Sequence, residues 1–325
     1  PQRSARLAPG VVRLAMPHLT PTPAELTALA ARRLGYATTA ECSAWGIDST
    51  ARTRRFRHGM WSHVGPGIVD LEPGLQRPLR EEHLRAIHLA LLRAGPDAVA
   101  IGLSSLLLHG CWGLPPQFGA RAARADRTFR RGGMLAQHEA FTTVDVGGLR
   151  AASVGWAIIQ ALPELSVLHL IAVLDWALNS GALTSLDELL RHARKRRGCV
   201  KLNAVVDLVD GRSESFLETW ARLQCVDAGI PPDVLQLPIL QPGRSQPWRA
   251  DLAWRLPGGG WLIIEIDGAT IHDTPDALYA DRARQNAITA SGNVVVLRFT
   301  AADLRRAGYV PAQIRAALRA HSVAA

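Results

Sequence analysis

Four carboxylates in the last third of the chain have the spacing for cation chemistry. Asp251 lies in one apolar run, Trp248 to Arg255, and Glu265 and Asp267 stand two apart at the end of another, Trp261 to Ile266. Read as neighbouring strands joined at Gly258-Gly259-Gly260, these runs let Asp251 and Glu265 converge, while the two-residue period puts Glu265 and Asp267 on one face. Leu262-Ile263-Ile264 predicts a buried strand, so Glu265 is an acid where a charge needs a partner or a metal ion. Hard carboxylate oxygens suit Mg²⁺ or Mn²⁺, with phosphate oxygens completing the shell. Such an ion lowers the pKa of bound water and stabilises charge on a phosphodiester undergoing attack. The fourth acid, Glu218, lies on a preceding helix that Ser215 can cap.

Seven elements must position these groups. The Glu218 helix is broken by Gly229-Ile230-Pro231-Pro232. Strands then read over Val234 to Leu240, Trp248 to Arg255 and Trp261 to Ile266, followed by a helix over Ala277 to Ala290. A buried strand over Val294 to Phe299 and a closing helix over Pro311 to Ala320 complete the order α-β-β-β-α-β-α. The Pro232-Asp233 dipeptide follows the helix and reads as turn chemistry. A purely structural account of the acids is a salt-bridged edge, with Asp281 pairing Arg282 or Arg284.

The series Ser215-Phe216-Leu217-Glu218, Arg249-Ala250-Asp251-Leu252, Ile264-Glu265-Ile266-Asp267-Gly268, His272, Asp281-Arg282-Ala283-Arg284-Gln285-Asn286 and Val296-Leu297-Arg298-Phe299 resembles the PD-(D/E)XK nuclease superfamily. It is most similar to the branch of the very-short-patch-repair endonuclease. The resemblance spans residues 213–307. It implies a restriction-endonuclease-like α-β-β-β-α-β domain in which Asp251 and Glu265 bind Mg²⁺ (or Mn²⁺), with Glu218 assisting from the first helix. Asp267, His272 and Arg284 would surround the scissile phosphate, and Arg282 would contact DNA. One departure bears on catalysis: the superfamily's lysine two residues after the strand acid is here Asp267, and no lysine follows Lys201. Arginine stays protonated and is no substitute base. The resemblance therefore leaves two outcomes open, a Mg²⁺-dependent DNA endonuclease and a fold that binds without cleaving.

The front of the chain reads differently. Helices are predicted from Pro23-Ala24-Glu25-Leu26, from Thr38-Thr39-Ala40-Glu41, and from Asp48-Ser49-Thr50, with Trp61 to Val64 and Ile68-Val69 as a hairpin around Gly65-Pro66-Gly67. Three small helices and a two-stranded wing make a winged helix-turn-helix over residues 20–75. Its third helix carries Arg52, Arg54, Arg55 and Arg57, placed to meet phosphates or base edges of duplex DNA. A solvated arginine face is the bland alternative. Leu34-Gly35-Tyr36-Ala37-Thr38-Thr39, Trp45-Gly46-Ile47 and Arg57-His58-Gly59-Met60-Trp61 resemble the N-terminal domain of AbiEi-type antitoxins. Leu107-Leu108-His109-Gly110-Cys111-Trp112-Gly113-Leu114 is similar to the segment that follows that domain in many actinobacterial proteins. This resemblance implies a regulator of a type IV toxin–antitoxin system, with a cognate toxin as partner.

Residues 80–212 read as a mostly helical middle domain, with short strands around Arg127–Phe141 and Val144–Leu149. His109, His138 and His169 lack metal-ligand spacing there. The whole is thus an α+β or α/β multidomain chain. Its 325 residues carry 37 basic and 28 acidic groups, a net +9, which suits a polyanion partner. Over residues 1–80, 11 arginines face 5 acids, whereas residues 213–325 are neutral. Four scattered cysteines with no C-x-x-C pair argue against a zinc knuckle or disulfide scaffold. The first twenty residues show no signal-peptide core, and the longest uncharged run, Ala98 to Ala120, is interrupted by prolines and glycines. A cytoplasmic location without membrane association is expected.

Overall fold

A computed structural model describes residues 21–124, 128–131, 134–137, 140–239, 247–257, 259–267 and 294–322. The architecture is mixed α and β, and the chain divides into two compact units, Pro1–Arg93 and Ala94–Ala325.

In the first unit, α1 (Ala24–Ala31) leads into β1 (Tyr36–Thr38), α2 (Thr39–Ala44), α3 (Ser49–Arg57), β2 (Ser62–Gly65), β3 (Ile68–Asp70) and α4 (Leu79–Ala94). Local sequence starts these helices. Thr38 and Glu41 form a reciprocal capping box on α2, and the Asp48 side chain accepts the Ala51 amide at 2.7 Å to cap α3. The strands form an antiparallel sheet in the order β1-β3-β2, so the expected hairpin gains a third strand from Tyr36–Thr38. Leu26, Ala30, Ala37, Cys42, Ile47, Trp61 and Val69 make the core. Arg85 on α4 closes it from one side, donating to the Leu34 carbonyl and the Asp70 carboxylate, with its guanidinium 4.2 Å from the Tyr36 ring centre.

The second unit begins with β4 (Val99–Ala100), α5 (Leu103–Leu108), β5 (Ala122–Ala123), β6 (Thr128–Arg131), β7 (Met134–Gln137), β8 (Thr143–Val146) and β9 (Leu149–Ala152). Helices α6 (Val154–Ala161), α7 (Val167–Asn179), α8 (Asp187–Ala193) and α9 (Cys199–Val205) follow. A four-stranded sheet, β5-β4-β9-β8, therefore accompanies the helices of this stretch, giving it more strand than its apolar sequence suggests. The Trp112-Gly113 turn lies against α7, where a Cβ on Gly113 would come within 2.6 Å of the Ala172 carbonyl carbon. Only glycine fits that approach.

Then come α10 (Phe216–Asp227), β10 (Val234–Ile239), β11 (Trp248–Arg255), β12 (Trp261–Asp267), β13 (Val294–Thr300), α11 (Ala301–Leu304) and α12 (Tyr309–Ser322). The strands lie in the order β10-β11-β12-β13, antiparallel except for the parallel β12–β13 pair. These elements follow the expected order; the expected helix over Ala277 to Ala290 lies outside the described residues. Beneath the sheet, Ala221 and Cys225 of α10 and Val310 and Ile314 of α12 pack on Leu235, Leu252, Trp254, Leu262 and Ile264.

The second face of α10 is polar and buried. Asp175 of α7, wholly inaccessible, accepts from the Asp210 amide at 2.7 Å, Thr219 Oγ1 at 2.7 Å and Arg222 Nη2 at 2.8 Å. Arg222 also donates to the Leu208 carbonyl. Removing one partner leaves a buried charge uncompensated. Asp175→Ala is expected to lower unfolding stability by about 3–5 kcal/mol, read as a fall in the urea midpoint; a change within error would show that the network does not hold α10.

Candidate functional site

Three of the four expected acids, Glu218, Asp251 and Glu265, interact where the sheet splits. β11 pairs with β10 from Trp248 to Ala253 except at one step, and with β12 only from Leu252 to Arg255. Past the Leu252–Ile264 pair, β12 continues along β13 as far as Asp267–Thr300. The two middle strands thus fork at Asp251. The Ile266 amide, which β11 would have bonded had the ladder continued, donates instead to Asp251 Oδ2 at 2.7 Å.

Side-chain alternation slips at the same level. Leu252 and Trp254 point into the core beneath the helices, while Ala253 and Ile263 belong to the opposite face. Ala250, two residues before Leu252, also belongs to that opposite face. On β10 the same shift separates Leu235 from Leu237. Between them Gln236 takes a left-handed backbone, φ +53°, at the position the β10–β11 ladder skips. For a residue with a Cβ this costs on the order of 1–2 kcal/mol.

Glu218 stands in the first turn of α10, whose N-terminus is capped by Ser215 at 3.2 Å. Its Oε2 accepts the Glu214 amide at 2.8 Å and Gln236 Nε2 at 2.9 Å. Glu214 itself takes a two-pronged ion pair from Arg249, with contacts of 2.6 and 2.9 Å. Burial pushes the Glu218 carboxyl above its ordinary range. Asp251 is pushed further, to about 7, by burial first and then by the charges of Glu218, Glu265 and Glu214, against the pull of the Ile266 amide. Among the described residues, Asp251 Oδ1 and Glu218 Oε1 accept no hydrogen bond.

Glu265 is buried, and its charge is met by an arginine: Arg298 Nε lies 2.5 Å from Oε2, across the parallel β12–β13 register that pairs the two residues. Asp267 lies at the exposed end of β12. His272, Arg282 and Arg284, with Asp281, lie outside the described residues. No group of three His, Cys, Asp or Glu side chains among the described residues is arranged to hold a metal ion. Asp251 nevertheless fits a Mg²⁺-type ligand, because that ion needs only one or two carboxylates when water and phosphate complete its shell. Gln236 and Arg298 are the site residues that sequence reasoning passed over. The signal for Arg298 was present, a lone charge inside Val294-Val295-Val296-Leu297-Arg298-Phe299; Gln236 gave none.

In the first unit the four α3 arginines divide into two pairs. Arg52 donates to Ser43 Oγ at 2.9 Å and the Ile47 carbonyl at 2.7 Å. Arg55 is buried, bonded to the Ala51 carbonyl at 3.0 Å and lying 4.9 Å from the Trp61 ring centre. Both serve the fold, so the expectation that Arg55 faces a partner gives way to an inward one. Arg54 and Arg57 are exposed, and with Ser49, Thr50 and Thr53 they line an open cleft of about 280 Å³.

The four cysteines are free thiols, and no described helix is long and apolar enough to cross a membrane. No family model matches the chain. Over 153 residues, 46% of its length, the chain is 31% identical to uncharacterized proteins from two strains of Mycobacterium tuberculosis. It spans about half the length of these curated relatives, 55%.

The Asp251 carboxyl dictates a pH dependence. Its folded pKa lies above the unfolded value near 3.9, so between about pH 4 and 7 the folded state holds a proton that the unfolded chain has lost. Stability must then fall as pH rises through that window. Asp251→Asn, which keeps an acceptor for Ile266, is expected to be more stable than the wild type by roughly 2 kcal/mol at pH 8. The gap should close toward pH 4 in urea titrations, and a gap independent of pH would remove Asp251 as the titrating group.

Proposed function

We propose that this chain is a DNA-interacting protein with a winged helix-turn-helix in its first unit and a PD-(D/E)XK, Vsr-like endonuclease fold at residues 213–307. It would act in the cytoplasm, hydrolysing phosphodiester bonds with the help of Mg²⁺ or Mn²⁺. The observation that carries the reading is the Asp251 carboxylate, desolvated at the strand fork and crowded by Glu218 and Glu265. Like charges held together in a buried place favour a cation between them.

A bound Mg²⁺ would supply Lewis acidity and a water of lowered pKa. Asp251 would hold it, its Oδ2 kept in place by the Ile266 amide, with Glu218 and Glu265 alongside. Arg298, anchored on Glu265, brings positive charge to the position where a phosphate would gain negative charge. His272 and Arg284 would complete the set, and Arg282 would join the DNA contacts. In the first unit, Arg54 and Arg57 would grip the duplex backbone, with Ser49, Thr50 and Thr53 as hydroxyl donors.

Two features favour a second reading, a non-catalytic antitoxin-like regulator with a cognate toxin. Glu265 is already neutralised by Arg298, and the place of the usual catalytic lysine is taken by the exposed Asp267. The two readings separate on supercoiled plasmid with Mg²⁺ or Mn²⁺. Nicking by the wild type, lost in Asp251→Ala with DNA binding intact, is the expected result. No cleavage by either protein would leave the regulator. For the first unit, Arg54→Ala with Arg57→Ala should weaken DNA binding at least tenfold and lower its salt slope by about 2, with unchanged stability. Arg55→Ala should instead cost roughly 1–3 kcal/mol of stability. Unaltered binding in the Arg54/Arg57 double variant would end the claim for that helix face.

A further inference from the structure

Gln236 occupies the position on β10 that faces Asp251, between the pairs Leu235–Leu252 and Leu237–Ala250. Its φ of +53° is a conformation that glycine or asparagine adopts more readily. A strand that needed only a change of phase would be served as well by glycine. Glutamine adds a long amide, and that amide is used: Nε2 donates to Glu218 Oε2 at 2.9 Å, on the same oxygen that accepts the Glu214 amide. Two donors on one oxygen fix the carboxylate plane and leave Oε1 without a hydrogen bond among the described residues. Asp251 is arranged in the same way, with Oδ2 on the Ile266 amide and Oδ1 unused. The left-handed turn at Gln236 thus lies beside two acids, each held by one oxygen.

We infer that Gln236 is a positioning residue of this site, holding the Glu218 carboxylate beside Asp251 so that both can offer an oxygen to one divalent cation. This rests on the divalent-cation reading above. Backbone phase and side-chain anchoring are then joined in one residue: the reversal of β10 that shifts its alternation also turns the amide toward α10.

The test separates the two roles with Gln236→Gly, which keeps the left-handed backbone and removes the amide. Mn²⁺ binding to the full chain is measured by calorimetry and unfolding by urea. The variant should be as stable as the wild type or more so, yet bind Mn²⁺ about tenfold more weakly. If it loses stability, Gln236→Asn takes its place, because asparagine tolerates the same backbone with a shorter amide. Glu218→Ala should show a comparable loss, and the double variant Gln236→Gly/Glu218→Ala should bind no more weakly than Glu218→Ala alone, since the two groups act as one. Wild-type affinity in Gln236→Gly, or losses that multiply in the double variant, would overturn the inference while leaving the cation reading in place. Absence of Mn²⁺ binding by the wild type itself would overturn both.

Discussion

In the second unit, a buried charge pair between α7 and α10 sets how α10 faces its neighbours. Asp175 is wholly inaccessible, and Arg222 nearly so. Burying two charges costs several kcal/mol each, and their attraction recovers that cost only when every donor is well placed. Three donors on Asp175 and the Leu208 carbonyl on Arg222 meet most of that condition, while Arg222 Nε is buried without a hydrogen-bond partner among the described residues. The network adds little net stability compared with an apolar pair, but a rotated α10 would strand both charges, so it specifies orientation. Once Thr219 and Arg222 face α7, the helix has one remaining way to present Ala221 and Cys225 to the sheet. Glu218, one turn before Arg222, is then carried to the fork.

At the fork, the two strand acids have different fates. Glu265 meets a guanidinium, and its charge is neutralised within the sheet. Asp251 is bonded by a neutral amide and crowded by other carboxylates, which leaves its proton affinity near neutrality. Glu265 is an anchor for Arg298, and Asp251 is the acid that the proposed cation would meet. The strained backbone at Gln236 lies at the same level. Strain persists where surrounding structure over-determines it, and such places are often functional.

Local chemistry made much of the architecture legible. The caps at Thr38 and Asp48 start their helices as expected, and the strands at Trp248–Arg255 and Val294–Thr300 fall within a residue of the apolar runs that announce them. Adjacency of the two strands that carry Asp251 and Glu265 was also legible, although their ladder ends at Leu252–Ile264, one step short of the two acids. What escaped was set by tertiary contact. Arg55 turns inward because Trp61, beyond the end of α3, offers its ring face. Arg298 pairs with Glu265 through a parallel register between strands far apart in sequence. Strands of two or three residues, such as Tyr36–Thr38 and Val99–Ala100, are too short to show a period of two.

The arginine bias takes on a physical meaning from these placements. All but two of the 37 basic residues are arginine, and several are spent inside the protein: Arg55 on Trp61, Arg85 on Asp70 and Tyr36, Arg222 on Asp175, and Arg298 on Glu265. A guanidinium stays charged when buried, offers five donors in a fixed plane, and stacks on aromatic rings; a lysine ammonium in the same places would be pressed to lose its proton. Three of these four arginines are matched by an acid and cancel within the formal +9, so of the four only Arg55 takes positive charge out of reach of a polyanion. In the first unit, α3 carries four arginines but presents two, Arg54 and Arg57, at its exposed cleft. Were that face to meet a duplex, as proposed, it would offer a narrow pair of cations flanked by hydroxyls, so affinity would depend on geometry more than on bulk charge, with a correspondingly shallow dependence on salt.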